Sequence, residues 1–94
     1  MISVSDAKEY LRIDTDDEDR LIASLIITAT EFVQSVMRKT LDEFDKIPES
    51  VNQAVLFTIA TLYENRQSCK DGLDMEDLTD IIKRMTFAYR KEFF

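Results

Sequence analysis

Histidine and tryptophan are absent from this 94-residue sequence, and cysteine, glycine and proline each occur once. Without histidine, and with Cys69 as the only thiol, one chain cannot assemble a usual zinc site or a Ser-His-Asp or Cys-His catalytic group. The isolated Gly72 excludes a glycine-rich phosphate-binding loop. Carboxylates with lysine or tyrosine are the catalytic chemistry that remains, and helix ends and solvated faces already account for the acids. We therefore expect a protein that is not an enzyme and that binds no metal or cofactor.

The scarcity of glycine and proline also bears on the fold class. Tight hairpins depend on glycine and Asn-Gly pairs, so a sheet protein would have too few turn residues here. Apolar residues make up 45% of the chain and charged residues 33%, which is a globular balance, and a chain of this length suffices for one core. The sequence predicts an all-α fold: a single domain over residues 1–94, built as a small bundle of about four helices.

Long hydrophobic runs are missing as well. The longest uninterrupted apolar run is Ala54 to Phe57, far below the roughly 20 residues that a membrane span needs, and no signal peptide is recognisable. A single cysteine forms no intrachain disulfide, and a reducing compartment is the simplest explanation. We expect no association with a membrane.

Acidic residues outnumber basic ones by 19 to 12, and the formal net charge is -7. A chain of this charge repels nucleic acid and anionic membranes. The acids are concentrated in residues 1–50, whereas the last stretch carries the bases Lys83, Arg84, Arg90 and Lys91. The sequence thus has a locally basic end on an acidic body.

Apolar spacing predicts two helices in the first part of the chain. Ser3 and Asp6 have the spacing of a capping box, ahead of a short helix over Val4 to Leu11. Apolar residues then recur every three or four positions for nearly five turns, which predicts a long amphipathic helix over about Asp16 to Arg38. Thr15 is the expected N-cap of this second helix, followed by acids that favour the positive end of its dipole.

The third predicted helix, Pro48 to Arg66, is the expected centre of the bundle. Its stretch from Val51 onward is apolar on nearly every side, as in helices that are buried on more than one face. Phe57 lies in the middle of this stretch. If its side chain is fully buried, Phe57→Ala costs about 3 to 5 kcal/mol.

The remaining segments are connections and a last helix. Leu41 to Ile47 is predicted to be a connecting loop held to the core by its apolar residues. Residues 67–77 include Gly72 and lack periodicity, which predicts a mobile loop. A fourth helix is expected from about Asp74 or Glu76 onward.

The acidic run matches neither a calcium-binding loop nor the start of a DNA-recognition helix. If Asp14 were the first ligand of a calcium loop, Asp19 would stand at the glycine position and Leu25 at the bidentate glutamate position, so the match fails. A helix-turn-helix is disfavoured because a recognition helix needs bases near its N-terminus, and the second helix opens with acids. Helix capping is the better explanation of the run.

Aromatic residues gather near the end of the sequence, where Phe87, Tyr89, Phe93 and Phe94 accompany Arg90. Two interpretations remain open. These side chains either close the core from one side, which suits Phe87 and Tyr89, or they anchor an interface, for which aromatic residues with arginine are typical. The second interpretation suits Phe93 and Phe94, because chain ends are usually loosely held. We treat residues 87–94 as a segment prone to interaction.

Four segments stand in a recognisable order along the chain. They are AKEYLRID (Ala7 to Asp14), LIASLIITAT (Leu21 to Thr30), IPESVNQAVLFTIATLYENR (Ile47 to Arg66) and AYR (Ala88 to Arg90). In this order the chain resembles the head-tail connector, or adaptor, family of tailed bacteriophages and prophages. Members often have a Thr-Gly-Arg type turn after the long helix, whereas this chain has Met37-Arg38-Lys39-Thr40. Members also often have a proline before the last Tyr-Arg, where this chain has Ala88.

The resemblance implies a structural virion protein at the neck, the head-tail junction. Such a protein would form a homo-oligomeric ring of roughly a dozen copies between the portal protein and the next neck, or head-completion, protein. DNA would pass through without sequence-specific binding, because a ring of acidic subunits repels phosphate. Synthesis in the host bacterial cytoplasm is also implied. The candidate interface residues are Tyr63, Arg66, Tyr89, Arg90, Phe93 and Phe94.

A second hypothesis comes from a different class of protein. The chain would then be a small cytoplasmic helical module, with a protein-interaction or regulatory role, that acts as a monomer or dimer. Assembly into rings, alone or with the matching portal, distinguishes the two hypotheses.

Overall fold

Four α-helices and one short 3-10 helix make up the protein, in a computed structural model that describes residues 2–68 and 75–87. The side chains of residues 65–68, 75 and 76 lie outside that description. The elements in chain order are α1 (Val4–Leu11), α2 (Asp19–Met37), the 3-10 helix (Leu41–Glu43), α3 (Glu49–Ser68) and α4 (Met75–Met85). No strand occurs in the described ranges, and the predicted all-α bundle is confirmed.

Hydrogen bonds at both ends set the limits of α1, which are the predicted ones. At its start, Ser3 Oγ accepts a hydrogen bond from the Asp6 N–H at 3.1 Å, and the Ser3 N–H donates to Asp6 Oδ2 at 3.2 Å. At its end, Arg12 takes the left-handed conformation with φ 61°, and the Ile13 N–H donates to the Lys8 carbonyl at 2.9 Å. This is a capping box followed by a Schellman-type ending.

The start of α2 is later than predicted, and Thr15 is not its N-cap. The helix begins at Asp19, and its N-cap Glu18 makes no side-chain capping bond. The reason is Lys8 on α1, whose Nζ lies 2.8 Å from Asp16 Oδ1 and 2.9 Å from Asp19 Oδ1. Because both carboxylates bind Lys8, residues 16–18 form a turn that ties α1 to α2, and the helix begins at Asp19.

The end of α2 forms without the glycine that usually follows a helix. Arg38 takes the left-handed conformation with φ 58°, and its N–H donates to the Gln34 carbonyl. The Lys39 N–H reaches the same carbonyl at 3.2 Å. The left-handed conformation costs a residue with a Cβ about 1 to 2 kcal/mol. These hydrogen bonds to otherwise unpaired helix carbonyls offset part of that cost.

The segment between α2 and α3 is held to the core, as predicted, although its first part is a 3-10 helix. Leu41, Phe44 and Ile47 are half-buried and pack against the core. Gln34 Oε1 accepts a hydrogen bond from the Leu41 N–H at 2.9 Å, and Lys39 Nζ lies 4.2 Å from the centroid of the Phe44 ring. These contacts fix the segment beside the second half of α2.

The centre of the bundle consists of α2 and α3 together, each of which contacts all three other helices. The sequence predicted this role for α3 alone. Gln53 is the only exposed residue between Val51 and Tyr63, which agrees with a helix covered on more than one face. Side chains from all four helices form one buried apolar cluster: Ala7, Ile22, Ile26, Ala29, Val33, Val36, Met37, Val51, Ala54, Val55, Leu56, Ile59, Leu78 and Ile82.

Two aromatic residues lie nearer the surface than the core interpretation predicts. Phe57 is half-buried and packs against the edge of the core, because the centre is filled by the smaller side chains of the two neighbouring helices. Phe87 is 75% exposed, so the interpretation that it closes the core is wrong. α4 already buries Leu78 and Ile82 against the bundle, and Phe87 follows the buried Thr86 on the opposite side of the chain.

The loop predicted at residues 67–77 overlaps helix at both of its ends. α3 continues to Ser68 and α4 begins at Met75. The intervening residues 69–74 lie outside the described residues, as do residues 88–94 of the predicted interaction segment.

Candidate protein-interaction surfaces

The six candidate interface residues are not brought together in the described part of the chain. Tyr63 is half-buried on α3, and its hydroxyl donates a hydrogen bond to Glu18 Oε1 at the start of α2. Arg66 belongs to α3, but its side chain is outside the description. The other four, Tyr89, Arg90, Phe93 and Phe94, lie outside the described residues. Tyr63 therefore holds α3 to α2 with its polar atom, and only its ring borders the surface.

The outer face of α2 is exposed and nearly uncharged. Ile27 on this face is 56% exposed, although its neighbour Ile26 is buried. Glu31 is the only acid among the exposed residues of the helix, in a protein whose net charge is -7. The exposed residues recur every three or four positions: Arg20, Ser24, Ile27, Thr28, Glu31 and Ser35. Sequence reasoning missed Ile27, and the signal was an apolar residue on the otherwise polar side of an amphipathic helix.

One groove lies between this face and the segment that follows α2. We call it the α2 groove. Its volume is about 390 Å³, and its lining comprises Ile27, Thr30, Glu31, Gln34, Leu41, Asp42 and Ile47. Apolar side chains come from both walls, and the exposed Glu31 and Asp42 make the lining acidic without a base. Within the described part of the chain, neither acid forms an ion pair.

Thr30, in the lining of the α2 groove, differs from the other buried threonines. It is 7% exposed, and its Oγ1 has no hydrogen-bond partner among the described residues. Thr58 and Thr86 are also buried, yet each hydroxyl donates to the carbonyl four residues earlier, at 2.8 Å. A buried hydroxyl without a partner loses its hydration and gains no hydrogen bond in exchange. One residue of the groove lining therefore has a buried polar atom without a partner among the described residues.

A second groove lies between the end of α1 and α3. We call it the aromatic groove, and its volume is about 370 Å³. Tyr10, which is 42% exposed, lines this groove together with Phe57 and Tyr63. The charged residues of the groove are Arg12 and Glu64. Tyrosine, phenylalanine and arginine are enriched in the centres of protein interfaces. This groove contains one of the predicted interface residues and two aromatic residues that the sequence did not assign to a site.

Two ion pairs among the described residues join α1 to the start of α2 and so have a structural role. We call Lys8, Asp16 and Asp19 the Lys8 clamp. The hydrogen bond to Asp16 and the Asp19 carboxylate 2.9 Å away raise the pKa of Lys8, and the hydrogen bond from Lys8 lowers the pKa of Asp16. The ammonium is thus compensated within the chain. Among the residues that the structure describes, no group of three or more side chains is arranged to hold a metal ion.

The length and apolar composition of α2 resemble those of a membrane-spanning helix. With 19 residues and a mean hydropathy of 1.3, it is the one helix in the described ranges that is long and apolar enough to cross a membrane by length and composition. Seven of its residues are buried against the other helices. The core of the bundle accounts for those residues, and the exposed remainder is the weakly charged face described above.

One comparison with known proteins finds a match. The family model described as phage gp6-like head-tail connector protein matches residues 1–86. No curated protein and no solved structure matches significantly. The matched range includes all four helices and both grooves, and it ends just before the exposed Phe87.

Proposed function

We propose, from the premise that this chain belongs to the phage gp6-like head-tail connector family, that it is the subunit of a homo-oligomeric ring that joins the portal protein to the next neck protein. As a member of that structural family, the protein is a virion component and assembles with other phage head and tail proteins. The observation that carries the proposal is the extent of the match, because it spans the whole described bundle. The position in the neck and synthesis in the host bacterial cytoplasm are parts of the same proposal.

Ring formation requires two different surfaces on one subunit. A head-to-tail contact joins unlike patches, and a rotation that closes gives a ring. The α2 groove and the aromatic groove are lined by different elements and differ in charge. The subunit thus has distinct surface patches, as head-to-tail assembly requires.

The charge of the subunit suits a channel for DNA. Each copy contributes a net charge of -7, so roughly a dozen copies in a closed ring would present a wall that repels phosphate. At physiological ionic strength this repulsion acts over about 8 Å. DNA would therefore pass through without sequence-specific binding, and the role needs neither catalysis nor a cofactor.

The decisive experiment measures assembly with and without the portal. The purified protein is examined by sedimentation velocity and negative-stain microscopy over a range of concentrations, alone and with the matching portal protein. We expect annular particles, either at high concentration or on the portal. A protein that remains monomeric or dimeric in both conditions would instead support the small interaction module.

A further inference from the structure

The α2 groove has three features that together define the chemistry of a ligand that would fit it. Ile27, Leu41 and Ile47 give it apolar contact surface, and Glu31 and Asp42 make it acidic. The buried hydroxyl of Thr30 has no partner among the described residues. A fitting ligand is therefore apolar or aromatic, carries positive charge and offers a hydrogen-bonding group such as a peptide backbone.

The chain itself contains a segment with this chemistry. Residues 88–94 read AYRKEFF, with two bases, one acid and three aromatic residues. They follow Phe87, whose side chain is 75% exposed. Seven residues span at most about 25 Å, which is long enough to cross from one small domain to its neighbour.

We propose that the α2 groove binds residues 88–94 of a second copy of the chain. The aromatic side chains of the segment contact the apolar walls, and Arg90 or Lys91 pairs with Glu31 and Asp42. A backbone group of the segment bonds the Thr30 hydroxyl. The proposal rests on the self-association proposed above, and it names the two unlike surfaces that meet.

Charge and apolar surface together select the receptor. A groove between α1 and α3 is lined by the acids Asp6, Glu9 and Glu49, but its surface is mainly polar and offers aromatic side chains less contact than the α2 groove does. The aromatic groove contains Arg12 as well as Glu64, so it has no net charge to attract a basic segment. The α2 groove has two acids and no base. Complementary charge guides association and selects the partner surface, which favours the α2 groove.

A charge swap on separate chains tests the contact in the full-length protein. Glu31→Lys reverses one charge of the groove, and Arg90→Glu reverses one charge of the segment. Each variant alone should self-associate about tenfold more weakly, because like charges then face each other at every contact. A mixture of the two should regain the original affinity, since alternating copies match every groove with a complementary segment.

Asp80→Lys is the matched control. Asp80 is an exposed acid within α4 and lines neither groove, so this variant has the same change of net charge as Glu31→Lys. It should self-associate as the unchanged protein does. The proposal is overturned if Glu31→Lys behaves like this control. A mixture that associates no better than its components also overturns it, because a segment bound within its own chain would give that result.

A peptide assay separates this proposal from the proposed function. A fluorescent peptide of residues 88–94 is titrated into the full-length Arg90→Glu variant, whose own segment competes poorly. It should bind about tenfold more tightly than it binds the variant that carries Glu31→Lys in addition. Binding by a protein that never forms rings would support the groove contact and contradict the ring, whereas rings without peptide binding would do the reverse.

Discussion

Thr30→Val is the substitution for which the structure predicts an unusual result, a gain in stability from a buried polar position. The threonine is 7% exposed, and its hydroxyl has no partner among the described residues. Removing an unpaired buried hydroxyl relieves about 1 to 3 kcal/mol. The methyl group that replaces it has nearly the same shape and adds up to about 0.8 kcal/mol of apolar burial. Valine and threonine have similar helix propensities, so we expect a net gain of about 1 to 4 kcal/mol.

The assay is urea unfolding followed by far-UV circular dichroism, at a protein concentration low enough to keep the chain monomeric, because self-association itself raises apparent stability. In thermal unfolding, each kcal/mol corresponds to about 4 to 8 °C for a domain of this size. Thr58→Val is the control, since its hydroxyl donates to the Ala54 carbonyl at 2.8 Å. That variant should lose about 0.5 to 1.5 kcal/mol.

The opposite signs of the two changes are what test the reasoning. If Thr30→Val is destabilised as much as Thr58→Val, the Thr30 hydroxyl has a hydrogen-bond partner in the folded monomer. That result would refute the predicted gain in stability. The same variant bears on the groove proposal. It should self-associate more weakly than the unchanged protein although its fold is more stable, because the bound segment loses a hydrogen bond.

Other predictions concern the helix end, the edge of the core and the Lys8 clamp. Arg38→Gly should raise the free energy of unfolding by about 1 kcal/mol in urea titrations, because glycine accepts the left-handed conformation at no steric cost; Ser35→Gly, within the helix, should lower it by about 0.5 to 1 kcal/mol. Phe57→Ala should cost about 2 kcal/mol in the same assay, because the 3 to 5 kcal/mol of a fully buried phenylalanine does not apply at half burial. A loss of about 3 kcal/mol or more would contradict the observed burial. The Lys8 clamp should stabilise the folded state at neutral pH and should lose this contribution to the free energy of unfolding in two pH ranges. As pH falls through the lowered pKa of Asp16, below its ordinary value of 3.8, the carboxylate takes up a proton; as pH rises through the raised pKa of Lys8, above 10.5, the ammonium loses one. In a plot of the free energy of unfolding against pH, Lys8→Met should reduce the fall at both the acidic and the alkaline end. An unchanged fall at both ends would contradict a stabilising role of the Lys8 clamp.

Local signals explain why α1 could be predicted to the residue. Its capping box lies within Ser3 to Asp6, and its apolar face lies within one short stretch. The end of α2 shows the limit of such signals. Its sequence lacks a glycine, yet the helix ends at Met37 because backbone N–H groups reach the Gln34 carbonyl and Arg38 tolerates the left-handed conformation. The family membership could also be anticipated, because order and spacing of segments are properties of sequence.

The interaction surfaces were harder to predict than the helices. Each groove combines residues from elements that are separated in the chain, as Ile27 and Ile47 do in the α2 groove. Tyr63, predicted as an interface residue, is half-buried, and its hydroxyl donates to Glu18, a residue 45 positions away. Contacts between residues so far apart in the sequence are not revealed by the periodicity of apolar residues. The Thr30 hydroxyl could not be recognised either, because nothing in the sequence distinguishes Thr30 from Thr58 and Thr61, whose hydroxyls donate to carbonyls of their own helix.

By itself, the sequence determined the fold class, the number of helices, the acidic character and the family, since these depend on composition, periodicity and the order of segments. Only the tertiary structure decided that α2 begins after a turn bound to Lys8, and that α2 shares the centre with α3. It also decided that Phe57 lies at the edge of the core and Phe87 outside it. The physical reason is common to all four results: each depends on which side chains from different helices compete for the same space or the same charge. That competition exists only once the helices have packed.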